Sequence, residues 1–481
     1  MNTFFASLSI LFALNIVLAI AIIFLERKKP TVTWAWIIVL LVLPDIGFIL
    51  YLLFSQNLSN KKIFKLKEEE TRLIDLLKNE EIYLLKNNQI NFKDKSMARY
   101  QDMIYMNLIN DNAFFTQDND IEIFTDGKAK FDELLGSIKK AKHHIHMLYF
   151  IIKNDSISKQ ILNALIEKAK EGVEVRLLYD AMGSQVIPRK ILRELEAAGG
   201  KYAAFFPSKI PYINFKLNYR NHRKIVVIDG KYGFIGGFNV GDEYLGLNKK
   251  MGYWRDTHLK VKGSAVLNIQ TRFMLDWRYA SRENIKNLTE YYSAVASTGN
   301  AGIQIVSSGP DSKEEQIKYG YIKMINSAKE SVYVQTPYFI PDDTILEALK
   351  IAALSGVDVR IMIPNKPDHI FVYWATYSYI GELLKAGTRA YIYDKGFLHA
   401  KTVVVDGKIA SVGTANVDIR SFKLNFEVNA FIYDTDIAGE LKTIFEKDIN
   451  DCKEITNKIY SKRSNIIKIK ESISRLLSPI L

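Results

Sequence analysis

The sequence predicts an α/β protein in which two similar halves follow an N-terminal pair of transmembrane helices. One observation is a motif of histidine, lysine, aspartate, glycine and asparagine that occurs twice at the same spacing. A second is that β-branched runs alternate with segments of helical periodicity around each copy, which is typical of α/β units. A third is that two long apolar segments open the chain.

The duplicated motif has the spacing H-x-K-x4-D-x6-G-x-x-N. Its polar members are His222, Lys224, Asp229 and Asn239 in the first copy and His399, Lys401, Asp406 and Asn416 in the second. A lone His-x-Lys on a strand is most often a surface pair. Two complete copies, each with its glycine and asparagine, indicate chemistry instead.

The motif fits an anion site. Residues i and i+2 of a strand face the same side, so each histidine points together with its lysine. Two adjacent potential cations would repel each other, so their presence indicates that an anion binds there. The aspartates close the strands at Asp-Gly turns, where they can anchor the turn or pair with a lysine. Glycine allows close backbone approach to a ligand, and asparagine adds an amide donor. With one histidine per half, we expect the halves to face each other and to share one site.

The copies lie inside a longer internal repeat. Residues Ile161 to Arg176 match Ile345 to Arg360 almost position for position. Each half follows the order strand, helix, strand, helix, strand. This order predicts α/β units around a largely parallel sheet.

From about Ile121 to its end, the chain resembles the phospholipase D superfamily, whose signature is this duplicated HKD motif. The resemblance implies two α/β halves whose motifs meet at the interface, with the histidine, lysine and aspartate of each copy as catalytic residues. It also implies that Asn239 and Asn416 support phosphate binding, and that the carboxylates Asp256 and Glu427 orient the histidines.

Two apolar segments at the N-terminus indicate which members of the superfamily the chain resembles. Phe4 to Leu25 and Val32 to Phe54 each exceed the roughly 20 residues needed to cross a bilayer, although Pro44 and Asp45 interrupt the second. The first has no basic start and no small-residue cleavage site, which disfavours an excised signal peptide. Two spans followed by a duplicated HKD domain resemble the bacterial cardiolipin synthases.

We therefore predict four regions. They are two transmembrane helices (residues 1–58), a charged juxtamembrane connector (59–110), a first phospholipase D-like domain (111–295), and a second with a C-terminal amphipathic helix (296–481). Lysines after the second span favour a cytoplasmic catalytic region in a multi-pass protein of the bacterial cell membrane. The C-terminal helix places Ile459, Ile466, Ile473, Leu477 and Ile480 on one face. Periodicity leaves open whether that face meets the membrane or the second domain.

The resemblance implies a phosphatidyltransferase that acts as a cardiolipin synthase. One phosphatidylglycerol would give its phosphatidyl group to another through a phosphohistidine, yielding cardiolipin and glycerol. The alternatives are a membrane-anchored hydrolase of the phospholipase D type and a synthase with phosphatidylethanolamine as donor. A nuclease would have no need of two spans, and a scaffold would have no need of both motifs. Near-symmetry of the copies leaves the choice of nucleophile open.

Composition agrees with this prediction. A net charge of +12 and a pI near 9.2 suit work against an anionic surface. Cys452 is the single cysteine, so neither an intrachain disulfide nor a cysteine metal site is expected. His144 and His146 share one strand face, where packing is the expected role. We expect membrane phospholipids, phosphatidylglycerol and cardiolipin, as partners, and no metal, cofactor or nucleic acid. The oligomeric state stays open.

Overall fold

A computed structural model gives the structure of the chain. It describes residues 16–17, 20, 30–43, 47, 50–51, 63–64, 67–207, 218–285, 288–292, 299–366 and 368–478. The chain divides into two compact units. The smaller comprises Met1–Lys61 and Ser208–Tyr219, and the larger comprises Lys62–Pro207 and Arg220–Leu481.

The described part of the smaller unit is mainly one helix, α1 (Pro30–Val42). Leu40 and Tyr51 are buried in it, and the ring of Trp36 packs edge-on against Tyr51 at 5.3 Å. The predicted span from residue 4 to 25 lies outside the described residues except for positions 16, 17 and 20, and the span from 32 to 54 is described in part. Within the described part of the chain, no helix has both the length and the apolar composition that crossing a bilayer requires.

The larger unit contains thirteen described α-helices. They are α2 (Glu68–Lys86), α3 (Gln101–Asp111), α4 (Gly127–Lys140), α5 (Ser156–Lys170), α6 (Arg189–Ala197), α7 (Ala265–Ser281), α8 (Gln316–Ser327), α9 (Asp343–Leu354), α10 (Ile370–Lys385), α11 (Ile419–Lys423), α12 (Thr435–Ile449), α13 (Asn457–Ser461) and α14 (Asn465–Leu476). Short 3₁₀ helices lie at Lys95–Tyr100, Asp242–Leu245 and Leu288–Tyr291.

Its strands divide between the halves. Those of the first are β1 (Thr116–Phe124), β2 (His144–Tyr149), β3 (Glu174–Asp180), β4 (Lys201–Phe205), β5 (Arg220–Asn221), β6 (Ile225–Ile228), β7 (Tyr232–Gly236), β8 (Tyr253–Arg255) and β9 (His258–Lys262). Those of the second are β10 (Ala301–Ser308), β11 (Ser331–Gln335), β12 (Phe339–Ile340), β13 (Asp358–Pro364), β14 (Arg389–Tyr393), β15 (Gly396–Leu398), β16 (Thr402–Val405), β17 (Ile409–Gly413), β18 (Val417–Asp418), β19 (Asn425–Tyr433) and β20 (Cys452–Ile455).

One 16-stranded sheet carries both halves. The halves meet where β1 pairs antiparallel with β10. Outward from that seam, the first half runs β1-β9-β7-β6-β2-β3-β4 and the second runs β10-β19-β17-β16-β11-β13-β14. The order is the same in both directions, with β20 added at one edge and β5 attached to β19. The sequence repeat is therefore a repeat of the fold.

The prediction of a largely parallel sheet is wrong for the central strands. Along the main strand order of the described sheet, parallel pairing is confined to the three outer strands of each half, β2-β3-β4 and β11-β13-β14. The motif strands β6 and β16 pair antiparallel with β7 and β17 because an Asp-Gly turn closes each of them. At Asp229-Gly230 and at Asp406-Gly407 both residues have positive φ, the conformation of a two-residue hairpin turn. Such a turn returns the chain beside the strand it has left.

The segment before β1 belongs to the core of the second half. Leu85 of α2, Tyr100, and Ile104 and Leu108 of α3 are buried in one cluster with residues of β11, β13 and β16. The connector therefore packs on the α/β unit that lies farther from it in sequence.

The C-terminal segment departs from the predicted single amphipathic helix. Residues 452–455 form edge strand β20, and two separate helices follow. Thr456 and Ser464 each cap a new helix by accepting a hydrogen bond from a backbone N–H three residues on. Ile459 thus lies on α13 and Ile466 on α14. The predicted single face does not form, and its last member, at position 480, is outside the described residues.

Candidate active site

Each His-x-Lys pair lies in the short extended link between two strands. His222 to Lys224 join β5 to β6, and His399 to Lys401 join β15 to β16. The side chains of His222 and His399 are 12% and 10% exposed, so only a small part of each ring reaches solvent. Both lysines are fully buried.

Each histidine is held by a carboxylate from the other half. Nδ1 of His222 lies 2.9 Å from Oε2 of Glu427, and Nδ1 of His399 lies 2.5 Å from Oδ2 of Asp256. Both carboxylates are fully buried. Because Nδ1 faces the carboxylate, the Nε2 atom of each ring is left for a ligand. The structure thus brings the two predicted acids to the histidines and shows that the pairs are crossed between halves.

Backbone pairing between the halves produces this crossing. Strand β5, just before His222, pairs in parallel with the start of β19, and β15, just before His399, pairs in parallel with β8. The N–H of His222 donates to the carbonyl of Phe426 at 2.9 Å, and that of His399 donates to the carbonyl of Arg255 at 2.7 Å. The next residues, Glu427 and Asp256, are then placed beside the histidines.

The two lysines make the site strongly cationic when protonated. Lys224 Nζ donates to the carbonyl of His222 at 2.6 Å, and Lys401 Nζ donates to that of His399. Burial, together with mutual repulsion at Lys224, lowers the pKa of Lys224 to about 7, and burial lowers that of Lys401 to about 8. Glu427 and Asp256 oppose both shifts. An anion bound between the lysines would hold both as ammonium groups.

Each histidine and its carboxylate shift one another's pKa. Burial, and then repulsion from Lys401, lower the pKa of His399 to about 4, and burial also lowers the pKa of His222. Burial alone would raise the pKa of each acid. The charges of Lys401 and His399 hold the pKa of Asp256 below its usual value, and that of His222 does the same for Glu427. These mutual influences join all six groups into one site.

Aromatic rings line the histidines on both sides. The ring centroid of Phe150 lies 4.8 Å from that of His222, and that of Trp254 lies 5.2 Å from His399. Lys224 Nζ also lies 5.3 Å from the centroid of Phe150. None of the fixed positions of the motif is aromatic, so the motif did not predict these rings. Phe150 does follow the predicted strand of the first half, and Trp254 precedes the predicted acid by two residues.

The motif aspartates lie away from the histidines, at the far ends of β6 and β16. Asp229 accepts hydrogen bonds from the backbone N–H groups of residues 142 to 144, at 2.8 to 3.0 Å for the shortest bond of each. Asp406 accepts from those of residues 329 to 331 at 2.8 to 3.0 Å. Each carboxylate therefore fastens the turn between a helix and the next strand, the turn-anchoring role that the sequence offered as one alternative.

The motif asparagines are buried and bonded to neighbouring segments. Oδ1 of Asn239 accepts from the N–H of Ile151 at 3.0 Å, and Nδ2 of Asn416 donates to Asp418 at 3.0 Å. Sequence reasoning missed Asp418. Burial raises the pKa of this carboxyl to about 6, and its charge raises the pKa of Lys401. Each half thus holds an acid outside the motif close to its lysine, because the charge of Asp180 raises the pKa of Lys224 in the same way.

The histidines of β2 lie outside this site. His144 and His146 are buried, and the ring of His146 stacks on Phe273 at 4.7 Å and faces Gln270. Among the described residues, no group of three or more His, Cys, Asp or Glu side chains is arranged to hold a metal ion.

Comparisons with known proteins agree with this geometry. A family model described as cardiolipin synthase, PLD-like domain, matches residues 134–277 and 321–449, and one described as phospholipase D-nuclease N-terminal matches residues 13–56. Cardiolipin synthase from Oceanobacillus iheyensis is 55% identical over 474 residues, and major cardiolipin synthase ClsA from Bacillus subtilis is 56% identical over 475. Each alignment covers 98% of both chains.

A solved structure is similar in fold. Phosphatidylserine synthase from Haemophilus influenzae Rd KW20 superposes with a TM-score of 0.62 at 15% identity, covering 79% of this chain and all of that one. The two matched ranges correspond to two phospholipase D-like domains within one mixed α/β fold.

Proposed function

The chain belongs to the cardiolipin synthase family with phospholipase D-like domains, and on that premise we propose that it joins two phosphatidylglycerol molecules into cardiolipin and glycerol. One observation carries the proposal: two histidines, each with Nδ1 on a buried carboxylate of the other half, stand beside two buried lysines. This arrangement supplies a nucleophile, a proton donor and an anion site together.

In the first step, the phosphate diester of one phosphatidylglycerol binds between the lysines. Nε2 of one histidine attacks phosphorus, and the bond from phosphorus to the headgroup glycerol breaks. The other histidine, as imidazolium, gives its proton to the departing glycerol oxygen. Lys224 and Lys401 stabilise the charge that develops on the phosphoryl oxygens. The products of this step are free glycerol and a phosphatidyl-histidine.

In the second step, a second phosphatidylglycerol enters with its headgroup hydroxyl toward phosphorus. The now neutral acid histidine takes the proton of that hydroxyl, and the oxygen displaces the nucleophilic histidine. Cardiolipin forms and both histidines return to their starting states. The second step is the first step run backwards with a different alcohol, so the transfer is reversible.

We assign the supporting residues by their contacts. Glu427 and Asp256 fix the tautomer of each ring and stabilise its charged form. Asp229 and Asp406 act on the site indirectly, because they hold the strands that follow the lysines. Asn239 and Asn416 shape the loops after β7 and β17 and border the phosphate site. Lysine and histidine supply the positive charge, so the reaction in this proposal needs no metal ion.

The membrane location follows from the substrate and the N-terminus. We propose that residues 1–58 form a two-helix membrane anchor, residues 59–110 a connector, and residues 111–295 and 296–481 the two catalytic domains. The apolar composition of residues 4–25 and 32–54 supports the anchor. The lysines that follow it favour a catalytic region on the cytoplasmic face of the bacterial cell membrane.

Labelled lipid tests the reaction. Purified protein is given phosphatidylglycerol labelled in its headgroup, with and without a metal chelator, and lipids and released glycerol are quantified. We expect one glycerol per cardiolipin in both conditions, and none with the His222→Ala variant. Phosphatidic acid as the main product would identify a hydrolase. Cardiolipin formed only when phosphatidylethanolamine is added, with release of ethanolamine, would identify the other donor.

A further inference from the structure

Helix α14 has its apolar side turned outward. Four large apolar side chains of this helix are between 50% and 81% exposed: Ile466, Ile469, Ile473 and Leu476. They recur three or four positions apart and so form one stripe. Glu471 and Ser474, on the opposite side, are buried. A helix that packs for stability buries its apolar side, so this arrangement needs a different explanation.

Polar contacts fasten the inner side of α14. Nε of Arg463 lies 2.9 Å from the carboxylate of Glu471, and the hydroxyl of Tyr460 donates to the same group at 3.2 Å. Arg475 forms an ion pair with Glu382 of α10, and its guanidinium lies 4.6 Å from the ring centroid of Tyr379. These bonds fix the orientation of the helix and hold the apolar stripe outward.

The stripe lies beside α10, which begins near the active site. Lys470 Nζ is 5.3 Å from the ring centroid of Trp374, one turn after the exposed residues Ile370 and Phe371. Just before them, Asp368 accepts a hydrogen bond from the hydroxyl of Tyr338, and its charge raises the pKa of Lys401. Exposed apolar side chains therefore stand on α14 and on the neighbouring α10, whose first turn follows an acid that acts on Lys401.

The charge around this surface is positive. Residues 457–478 contain six lysines and arginines and one carboxylate, Glu471. A cleft of about 710 Å³ between α10, α13 and α14 is lined by two of these lysines, Lys458 and Lys468, and by Lys385 of α10. An apolar stripe flanked by cations fits the boundary between acyl chains and anionic headgroups.

We propose that this docking face, Ile466, Ile469, Ile473 and Leu476 of α14 with Ile370 and Phe371 of α10, lies on an anionic phospholipid bilayer. The stripe enters the acyl boundary, and the lysines meet headgroup phosphates. The face then sets the mouth of the active site against the surface that holds its substrate. This inference rests on the proposed function, because a lipid substrate is the reason for the enzyme to contact a bilayer.

Site-specific fluorescence tests the contact in the full chain. An environment-sensitive probe is attached at Ile469→Cys or, as control, at Leu354→Cys, an equally apolar position of α9 that is 73% exposed. Both are made in a Cys452→Ser background, and the protein is reconstituted in vesicles of phosphatidylglycerol and phosphatidylcholine. We expect nitroxide-labelled lipids to quench the probe at 469, with iodide quenching about five-fold weaker than at 354.

Two results would overturn the proposal. Equal iodide quenching at both positions would place the face in water. Shielding from iodide without quenching by nitroxide lipids, together with energy transfer between labelled copies, would place a second copy of the chain on it.

Activity gives a second readout. The double variant Ile469→Glu/Ile473→Glu is compared with Ile351→Glu/Leu354→Glu on long-chain phosphatidylglycerol in vesicles and on a water-soluble short-chain form. We expect the vesicle-to-soluble ratio to fall about five-fold only in the first. An unchanged ratio would contradict the docking face. Failure of the wild-type protein to form cardiolipin from either substrate would refute the proposed function instead, and the fluorescence result would still decide the contact.

Discussion

The two halves of the site reach the same geometry with different side chains. In one pair, His222 meets the longer acid Glu427, which also bonds to the hydroxyl of Thr414. In the other, His399 meets the shorter Asp256, and the position matching Thr414 is Gly237. A Cβ at Gly237 would lie 1.9 Å from Oδ1 of Asp256, so only glycine leaves room. Glu427 therefore goes with a threonine that bonds to it, and Asp256 goes with a glycine that leaves it space. Both arrangements keep the carboxylate against its histidine.

The halves also place different acids near their lysines. Two residues after its motif asparagine, the second half carries Asp418, where the first half carries Gly241. The charge of Asp418 raises the pKa of Lys401, and in the first half the charge of Asp180 raises the pKa of Lys224. Duplication therefore supplied a symmetric frame in which each lysine has a different nearby acid outside the motif.

The largest effect should come from removing either histidine. His222→Ala and His399→Ala should each lower cardiolipin formation by more than about a thousand-fold, because one shared site needs both a nucleophile and an acid. Initial rates on labelled phosphatidylglycerol measure this, with circular dichroism as the check on folding. If each half held its own site, either variant would keep about half of the activity.

A substitution that crowds Asp256 should lower kcat more than one that removes a hydrogen bond from Glu427. Gly237→Ala should lower kcat about a hundred-fold, because the added methyl group displaces Asp256 and with it the ring of His399. Thr414→Ala removes only one hydrogen bond from Glu427, and we expect a loss of only about five-fold. Equal losses in the two variants would mean that the glycine has no steric role.

The pKa values of the two lysines should appear in the pH dependence of kcat/KM. In the free enzyme, Lys224 loses its proton as the pH rises through about 7, and Lys401 as it rises through about 8. Because the phosphate binds the ammonium forms, kcat/KM should fall by about ten-fold per pH unit above the first pKa and more steeply above the second. At saturating substrate the bound phosphate holds the protons, so kcat should fall only at higher pH. A flat kcat/KM from pH 7 to 9 would remove the lysines from phosphate binding.

The smallest loss of activity is expected at the motif aspartates. Asp229→Ala and Asp406→Ala each leave three backbone N–H groups without their carboxylate, so the free energy of unfolding should fall by about 2–3 kcal/mol. Thermal unfolding measures this, with the exposed Asp132→Ala as control. The variants should keep far more activity, below their melting temperature, than the histidine variants. If the aspartate variants lost as much activity as the histidine variants while keeping their stability, the aspartates would have to act directly in catalysis.

The sequence was informative about local and repeated features and poor at pairing between distant residues. Spacing and repetition predicted the two motifs and the shared site, and the resemblance to the phospholipase D superfamily implied the two orienting acids. They could not show that His222 pairs with Glu427, because that depends on how β5 meets β19 across the interface. The antiparallel direction of the central strands was missed, although the Asp-Gly turns that cause it were noted.

Other misses have similar physical reasons. Periodicity predicted one apolar face for the C-terminal segment, but the segment forms two helices. The direction in which the apolar side of α14 faces depends on the ion pair of Arg475 with Glu382, far apart in sequence. Asp418 was overlooked because the first copy has glycine at that position, and a repeat directs attention to what the copies share.

Histidine resonances test the crossed pairing most directly. The chain has seven histidines, so selective labelling of imidazole nitrogens gives few signals, which His222→Ala and His399→Ala assign. Because the carboxylate of Glu427 raises the pKa of His222, Glu427→Gln should lower that pKa and alter its tautomer signal while leaving His399 nearly unchanged. Asp256→Asn should do the same to His399 alone. If Glu427→Gln instead moved the signal of His399, and Asp256→Asn that of His222, each histidine would be paired within its own half and the crossed site would be wrong.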